Sequence, residues 1–423
     1  MEPEIYAIQR GRSGWKLSRR DLAAAAAVAG AAAMPGCGAV ESPPSETTPL
    51  QSNCKGVVAH WKRVNGLVFS PDGKILASAS SDHAIKLWSL PDGTLVKTLT
   101  GHSDDVDSVA FSPDGKILAS GSDDKTIKLW SLPDGALLKT LKAPGVWTVA
   151  ISPDGKLLAS GEAGWNLNLK LWSLPDGAEL RTFDGEAADA VAISSDGKLL
   201  ASATVGWAHP IQLWSLPDGA PLKTLRGHSA RVRSVAISPD VRLLASSSDD
   251  ETVRLWSLPD GAPLKTLARH SAWVRSVAIS PDGRMLASGS DDKTVRLWSL
   301  PDGAPLKTLA GHSDSVRAVA ISPDGRLLAS GSDDKTIKLW SLPDGQLLPT
   351  CLMDVEASSA DARAIQYTRG GASYTQGCDS PVPADAVCTC NCVRGKVCSC
   401  VSVCSCVGHT SEGGGGSHYW HPN

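Results

Sequence analysis

Histidine, serine and aspartate, the residue types of an activated hydroxyl with its base and orienting carboxylate, stand at fixed offsets in this chain of 423 residues. His102, Ser120 or Ser122, and Asp124 form one set; His60 with Asp82, His228 with Asp250, His270 with Asp292, and His312 with Asp334 repeat it. A catalyst needs one such site, whereas a buried polar group needs a partner wherever it recurs. Repetition therefore argues for structure over catalysis. Different chemistry stands near the other end, where Cys388, Cys390, Cys392, Cys398, Cys400, Cys404 and Cys406 form C-x-C units. Alternate residues of an extended chain point the same way, which suits thiolate clusters around zinc or copper, with His409, His418 and His421 as further ligands. A disulfide within one unit would be strained. Disulfides between units, with Cys378 completing an even eight, and a maturation or anchoring signal are the other open readings.

The elements that carry the His/Ser/Asp sets are organised by the heptapeptide Leu-Trp-Ser-Leu-Pro-Asp-Gly. Its tryptophans, Trp88, Trp130, Trp172, Trp214, Trp256, Trp298 and Trp340, are 42 residues apart at every step. A period of about 40 to 45 residues marks a blade that cannot bury its own apolar face and must stack on its neighbours. In the second repeat, Val106 to Ser112, Ile117 to Ser122, Thr126 to Ser131 and Leu137 to Leu141 read as strands with period-two alternation. Pro-Asp-Gly and Asp-Asp-Lys turns separate them. The expected fold is all-β, a seven-bladed β-propeller of four-stranded antiparallel blades with flexible N- and C-terminal tails.

These residues resemble the WD-repeat family of β-propellers, and its near-identical bacterial repeats in particular. The likeness rests on Gly-His-Ser before the first strand, Ser-Pro-Asp-Gly-Lys/Arg, Leu-Ala-Ser-Gly-Ser-Asp-Asp and Lys-Leu-Trp. The aspartate that names the family is replaced by Ser89, Ser131, Ser173, Ser215, Ser257, Ser299 and Ser341. The resemblance implies a buried hydrogen-bond network joining the histidine, a serine, the second-turn aspartate and the tryptophan of each regular blade. The ring of this family usually closes by mixing N- and C-terminal strands in one blade. Asn53 to Val58 and Leu347 to Leu352 compete for that place, and the more apolar C-terminal segment is expected to fill it.

Blades three and four break the repeat together. The loop leading into the first strand is two residues short in each, lacks the histidine, and the second turn is two residues longer. Trp165 and Trp207 fall in the lengthened turns and are expected to project as a pair of exposed aromatics. Glu162 and His209 would add directional hydrogen bonds, and Trp147 and Trp273 would extend the face. Exposed tryptophan is a signature of interfaces. Drift in a duplicated array is the alternative.

Net charge is −3, which offers no electrostatic case for nucleic acid. The tails suggest an address. Arg19-Arg20 before an alanine run, Ala23 to Ala33, resembles a bacterial twin-arginine export signal, and Cys37 sits where a lipid anchor could be attached. The expected organisation is a signal segment at 1–36, a Pro/Ser/Thr-rich tether at 37–52, the propeller at 53–352, a linker at 353–387 and the Cys-rich tail at 388–423. The expected function is an exported, monomeric, non-catalytic scaffold in the cell envelope that binds a protein or peptide on its loop rim. Metal handling by the tail and a channel enzyme using Arg233, Arg275, Arg317, Asp107 and Asn65 are the alternatives.

Overall fold

The computed structural model describes residues 58–349 except 163–167, 184–187 and 205–208, together with four strands outside that range. Within 58–349 there are six four-stranded antiparallel sheets and one of three strands, each meandering in chain order. Blade two runs through Val106–Phe111, Ile117–Ser122, Thr126–Ser131 and Leu137–Lys142. The other six begin at Val64, Val146, Ala188, Val232, Val274 and Val316. First strands of neighbouring blades touch all the way round, including those of blades seven and one, so they are the innermost.

Burial follows from this stacking more than from alternation. The second strand of blade two is buried at five consecutive residues, while its outer strand is exposed except at Leu141. A second strand is sandwiched between two neighbouring sheets, so both faces must be apolar or small. Leu-Ala-Ser-Gly-Ser supplies such a run, and the period-two pattern expected from the sequence does not hold there. The closeness is severe at Gly161, where an added Cβ would lie 2.1 Å from the carbonyl oxygen of Ala188 in the next blade. Only glycine permits that approach.

Seven apolar cores result, each shared by two adjacent blades. Leu87 and Leu99 of blade one pack with Val106, Leu118 and Trp130 of blade two. The ring closes by the same means, with Ile337 and Leu339 of blade seven against Val64, Leu76 and Trp88 of blade one. The outer edge of blade seven begins with the C-terminal segment, as Leu347 bridges to Trp340 and the Leu348 amide donates to the Leu339 carbonyl at 2.8 Å. Residues 53–57 and 350–352, and with them Cys54 and Cys351, lie outside the described residues. The serine that replaces the family's aspartate has a role of its own. Ser131 Oγ donates to Asp134 Oδ1 at 2.7 Å and Ser299 Oγ to Asp302 Oδ1 at 2.7 Å, bracing the third turn.

Two hairpins lie elsewhere. Ile8–Gly11 pairs with Gly14–Leu17 within the first unit, Met1–Pro49. Ile365–Arg369 pairs with Ala372–Gln376 inside the segment read as a linker. The alanine run, Cys37 and the cysteine tail lie outside the described residues.

One turn carries a misfit residue. Six of the seven first turns end in glycine with φ between 69° and 70°, but blade five has Val241 at φ 57°. A β-branched side chain in the left-handed region is strained. Val241→Gly should raise stability by about 1 kcal/mol, less whatever packing its partly buried methyls supply; urea unfolding checks this, and a loss of stability would show that packing dominates.

Candidate functional site

The His/Ser/Asp sets fold into one geometry in five blades. In blade two, His102 Nδ1 lies 2.7 Å from Asp124 Oδ2 and Nε2 lies 2.8 Å from Ser120 Oγ, to which Trp130 Nε1 donates at 2.9 Å. Of the two serines left open by the sequence, Ser120 is the bridge. Ser122 instead accepts from the Asp124 amide at 3.1 Å and donates to the Asp104 carbonyl. His60, Asp82 and Trp88 meet at Ser78; His228, Asp250 and Trp256 at Ser246; His270, Asp292 and Trp298 at Ser288; His312, Asp334 and Trp340 at Ser330. All five bridging serines are fully buried. Burial alone would raise the carboxyl of Asp82, but hydrogen bonding and charge from His60 hold it down to about 2. Burial also lowers the pKa of His102, against the pull of Asp124, and favours a neutral ring that donates to the carboxylate. With Oγ committed to an indole and an imidazole away from solvent, no substrate carbonyl can reach it.

Blades three and four keep only the inner half of the network. Trp172 Nε1 donates to Ser160 Oγ at 2.8 Å and Trp214 Nε1 to Ser202 Oγ at 2.9 Å. Glu162, expected to face a partner, is instead the last residue of a buried strand and only 1% exposed. Its Oε1 lies 3.3 Å from Lys170 Nζ, which also reaches Glu179. Burial raises its carboxyl to about 7, with Lys170 pulling the other way. His209 is partly buried in the left-handed region, φ 44°, and its Nδ1 has no hydrogen-bond partner among the described residues. Trp165 and Trp207 lie outside the described residues.

The second residue of each first strand forms an inner ring: Asn65, Asp107, Trp147, Asp189, Arg233, Arg275 and Arg317. Arg233, Arg275 and Arg317 are bidentate to Asp249, Asp291 and Asp333 of their own second turns. Asn65 donates to Ser81 Oγ at 3.0 Å. Asp107 is raised to about 7, first by burial and then by Asp123 and Asp105. Trp147 is half-buried and engaged by the protein's own rim. Its Nε1 donates to Asp123 Oδ1 at 3.1 Å, and the Arg231 guanidinium, which forks onto Asp189, lies 4.4 Å from its ring. Trp147 thus bridges blades two and five across the blades whose lead-in loops are shortened. Trp273 is accessible, 45% exposed with Arg275 and Arg233 at 4.8 and 5.6 Å from its ring. Trp61, 41% exposed, was missed by sequence reasoning. Aligning the repeats would have found it, since it stands where Ser103, Ser229, Ser271 and Ser313 stand elsewhere.

Two outcomes follow for stability. His312→Ala and Trp340→Ala should each cost about 2 to 4 kcal/mol by leaving polar partners unpaired or opening a cavity; full retention of thermal stability in either would refute the structural role. The pH dependence should have two opposed limbs. Asp82, lowered to about 2, contributes stability that is complete above its free value of 3.8 and lost as pH falls towards 2. Glu162, raised to about 7, favours the fold only while protonated, so its contribution is complete below 4.5 and lost as pH rises towards 7. Asp107, raised to about 7 as well, contributes to the same limb, so Glu162→Gln should shrink the second limb without abolishing it and leave the first, as read by urea unfolding at stepped pH.

Comparison with known proteins agrees with this geometry. A family model described as WD domain, G-beta repeat matches residues 52–89, 93–131, 135–173, 219–257, 261–299 and 303–341. The stretch between 173 and 219, which holds the first three strands of the altered fourth blade, is not among the matches. Ribosome biogenesis protein ytm1 of Pyrenophora tritici-repentis is 41% identical over 64 residues, 15% of this chain and 14% of that protein. Ribosome assembly protein 4 of Saccharomyces cerevisiae is 48% identical over 42 residues, 10% of this chain and 8% of that protein. Protein hir1 of Schizosaccharomyces pombe is 43% identical over 47 residues, 11% of this chain and 5% of that protein. These alignments span about one repeat and only a small part of each relative. The family model, by contrast, covers more than half of this chain on the same strands that build its blades, and the chain belongs to the WD domain, G-beta repeat family.

Proposed function

We propose that this propeller is a non-catalytic scaffold that binds a protein or peptide on the rim formed by its lead-in loops and second turns. One observation carries the reading: sequence variation is concentrated on that rim. The opposite rim repeats Ser-Pro-Asp-Gly and Leu-Pro-Asp-Gly almost unchanged from blade to blade. A particular partner needs a surface that does not repeat. The variable rim holds the accessible Trp61 and Trp273 and the lengthened turns with Trp165 and Trp207. The His/Ser/Asp sets are buried in structural use and the ring arginines are paired with aspartates, which weighs against a channel enzyme. The names of two relatives, a ribosome biogenesis protein and a ribosome assembly protein, are compatible with work among protein partners.

We further place the chain in the cell envelope of a bacterium, exported by its paired arginines, Arg19 and Arg20, with Cys37 as a point of lipid attachment. A second reading, metal handling by the tail, is favoured by the C-x-C spacing of Cys388 to Cys406. Metal analysis of the purified full chain beside a variant with these cysteines changed to serine separates it from the first.

Capture of partners from the envelope fraction tests the main reading. The Trp165→Ala/Trp207→Ala double variant should fold as the wild type does and bind its partner about 2 kcal/mol more weakly, the level of an interface hot spot. Wild-type affinity in that variant, with binding abolished by Trp273→Ala, would move the contact to blade six.

A further inference from the structure

The second turn of blade one departs from its counterparts. Blades two, six and seven carry Asp-Asp-Lys-Thr, as in Asp123-Asp124-Lys125-Thr126, where blade one has Ser81-Asp82-His83-Ala84. The backbone is the same: His83 has φ 68°, and Lys125, Lys293 and Lys335 have φ 65°, 70° and 69°. Only the side chain has changed, from a solvated cation to an imidazole. That imidazole's Nδ1 is shielded from solvent and has no hydrogen-bond partner among the described residues, a costly condition for a polar atom.

Across the boundary with blade two, the lead-in loop presents Asp104 and Asp105. One nitrogen of His83 and one oxygen from each carboxylate all lie within 4.8 Å of one another. An ion with ligand bonds of about 2.0 to 2.3 Å holds its donors at most about 4.6 Å apart, so small side-chain rotations of these surface-facing groups would bring all three onto one ion. We propose that His83, Asp104 and Asp105 bind one divalent metal ion, fastening blade one to blade two at the rim.

The donors also indicate the ion. An imidazole with two carboxylates suits manganese, iron, cobalt or zinc better than calcium or magnesium, which prefer oxygen alone. Neither carboxylate is used up. Asp105 Oδ2 accepts from Arg63 at 2.9 Å and Ser81 at 2.7 Å, and Asp104 Oδ1 accepts from the Asp105 amide at 2.9 Å. Arg63 is the opposing charge beside Asp105, but its side chain is 43% exposed, so solvent screens it and it can swing outward as an ion enters. Three protein ligands leave coordination positions for water or an acidic group.

Manganese(II) alone, added to the full-length chain, is the probe, since the thiolates of the tail select softer metals. Loss of the free-ion electron paramagnetic resonance signal should report one saturable site per chain. His83→Lys and Asp104→Asn should each weaken it at least tenfold. His83→Lys is compatible with the fold, because three other blades hold lysine in that conformation. Manganese should also raise the melting temperature of the wild type and not of either variant, as binding to the folded state alone requires. No saturable binding, or wild-type affinity in either variant, overturns the proposal.

Discussion

The structure depends on a burial problem that no blade can solve alone. A four-stranded sheet has two faces, and here the inner strands are apolar or small on both, so each blade is stable only between two others. Trp130 completes the core between blades one and two, and Trp88 does the same between blades seven and one. Constant spacing between neighbours follows from constant repeat length. The two-residue exchange between loops in blades three and four preserves that length, and with it the stacking.

Polar residues are fitted into this apolar scheme at a cost met by pairing. A serine hydroxyl in the centre of a blade must be satisfied, and the indole above it and the imidazole beside it do so. The imidazole in turn needs the aspartate, which gains its low pKa from that contact. Where the histidine is lost, the indole–serine bond survives, as at Trp172 and Ser160. In blade three the compensation is incomplete: Glu162 is buried with one lysine nearby and takes up a proton near neutrality. Removing half of a buried network leaves groups whose titration then matters to stability.

The same chain thus presents two unlike rims. One is a set of turns braced from within, where Ser89, Ser131, Ser173 and Ser299 each donate to the aspartate three residues on. The other collects departures: Trp61, His83, Trp147 and Trp273 each differ from the residues at the same place in other blades. Some of these are spent within the rim, as when Arg231 stacks on Trp147 and forks onto Asp189. Others remain open to solvent, and those are the ones available for recognition.

The sequence by itself determined the repeat, the number of blades and the strand order, because these are set by local spacing copied seven times, and it determined the buried His/Ser/Asp sets, whose spacing recurs in five of the blades. It also located the disturbance in blades three and four. It could not tell which unusual residues are free. Glu162 and Trp147 read as partner-facing, yet one is enclosed by its own blade and the other is held by Asp123 and Arg231, which are 24 and 84 positions away in the chain. Whether a side chain faces solvent depends on what neighbouring blades place against it. The pairing of His83 with Asp104 and Asp105 was hidden for the same reason, since repeat alignment compares equivalent positions and never the non-equivalent ones that meet across a blade boundary. Those meetings exist only once the ring has closed.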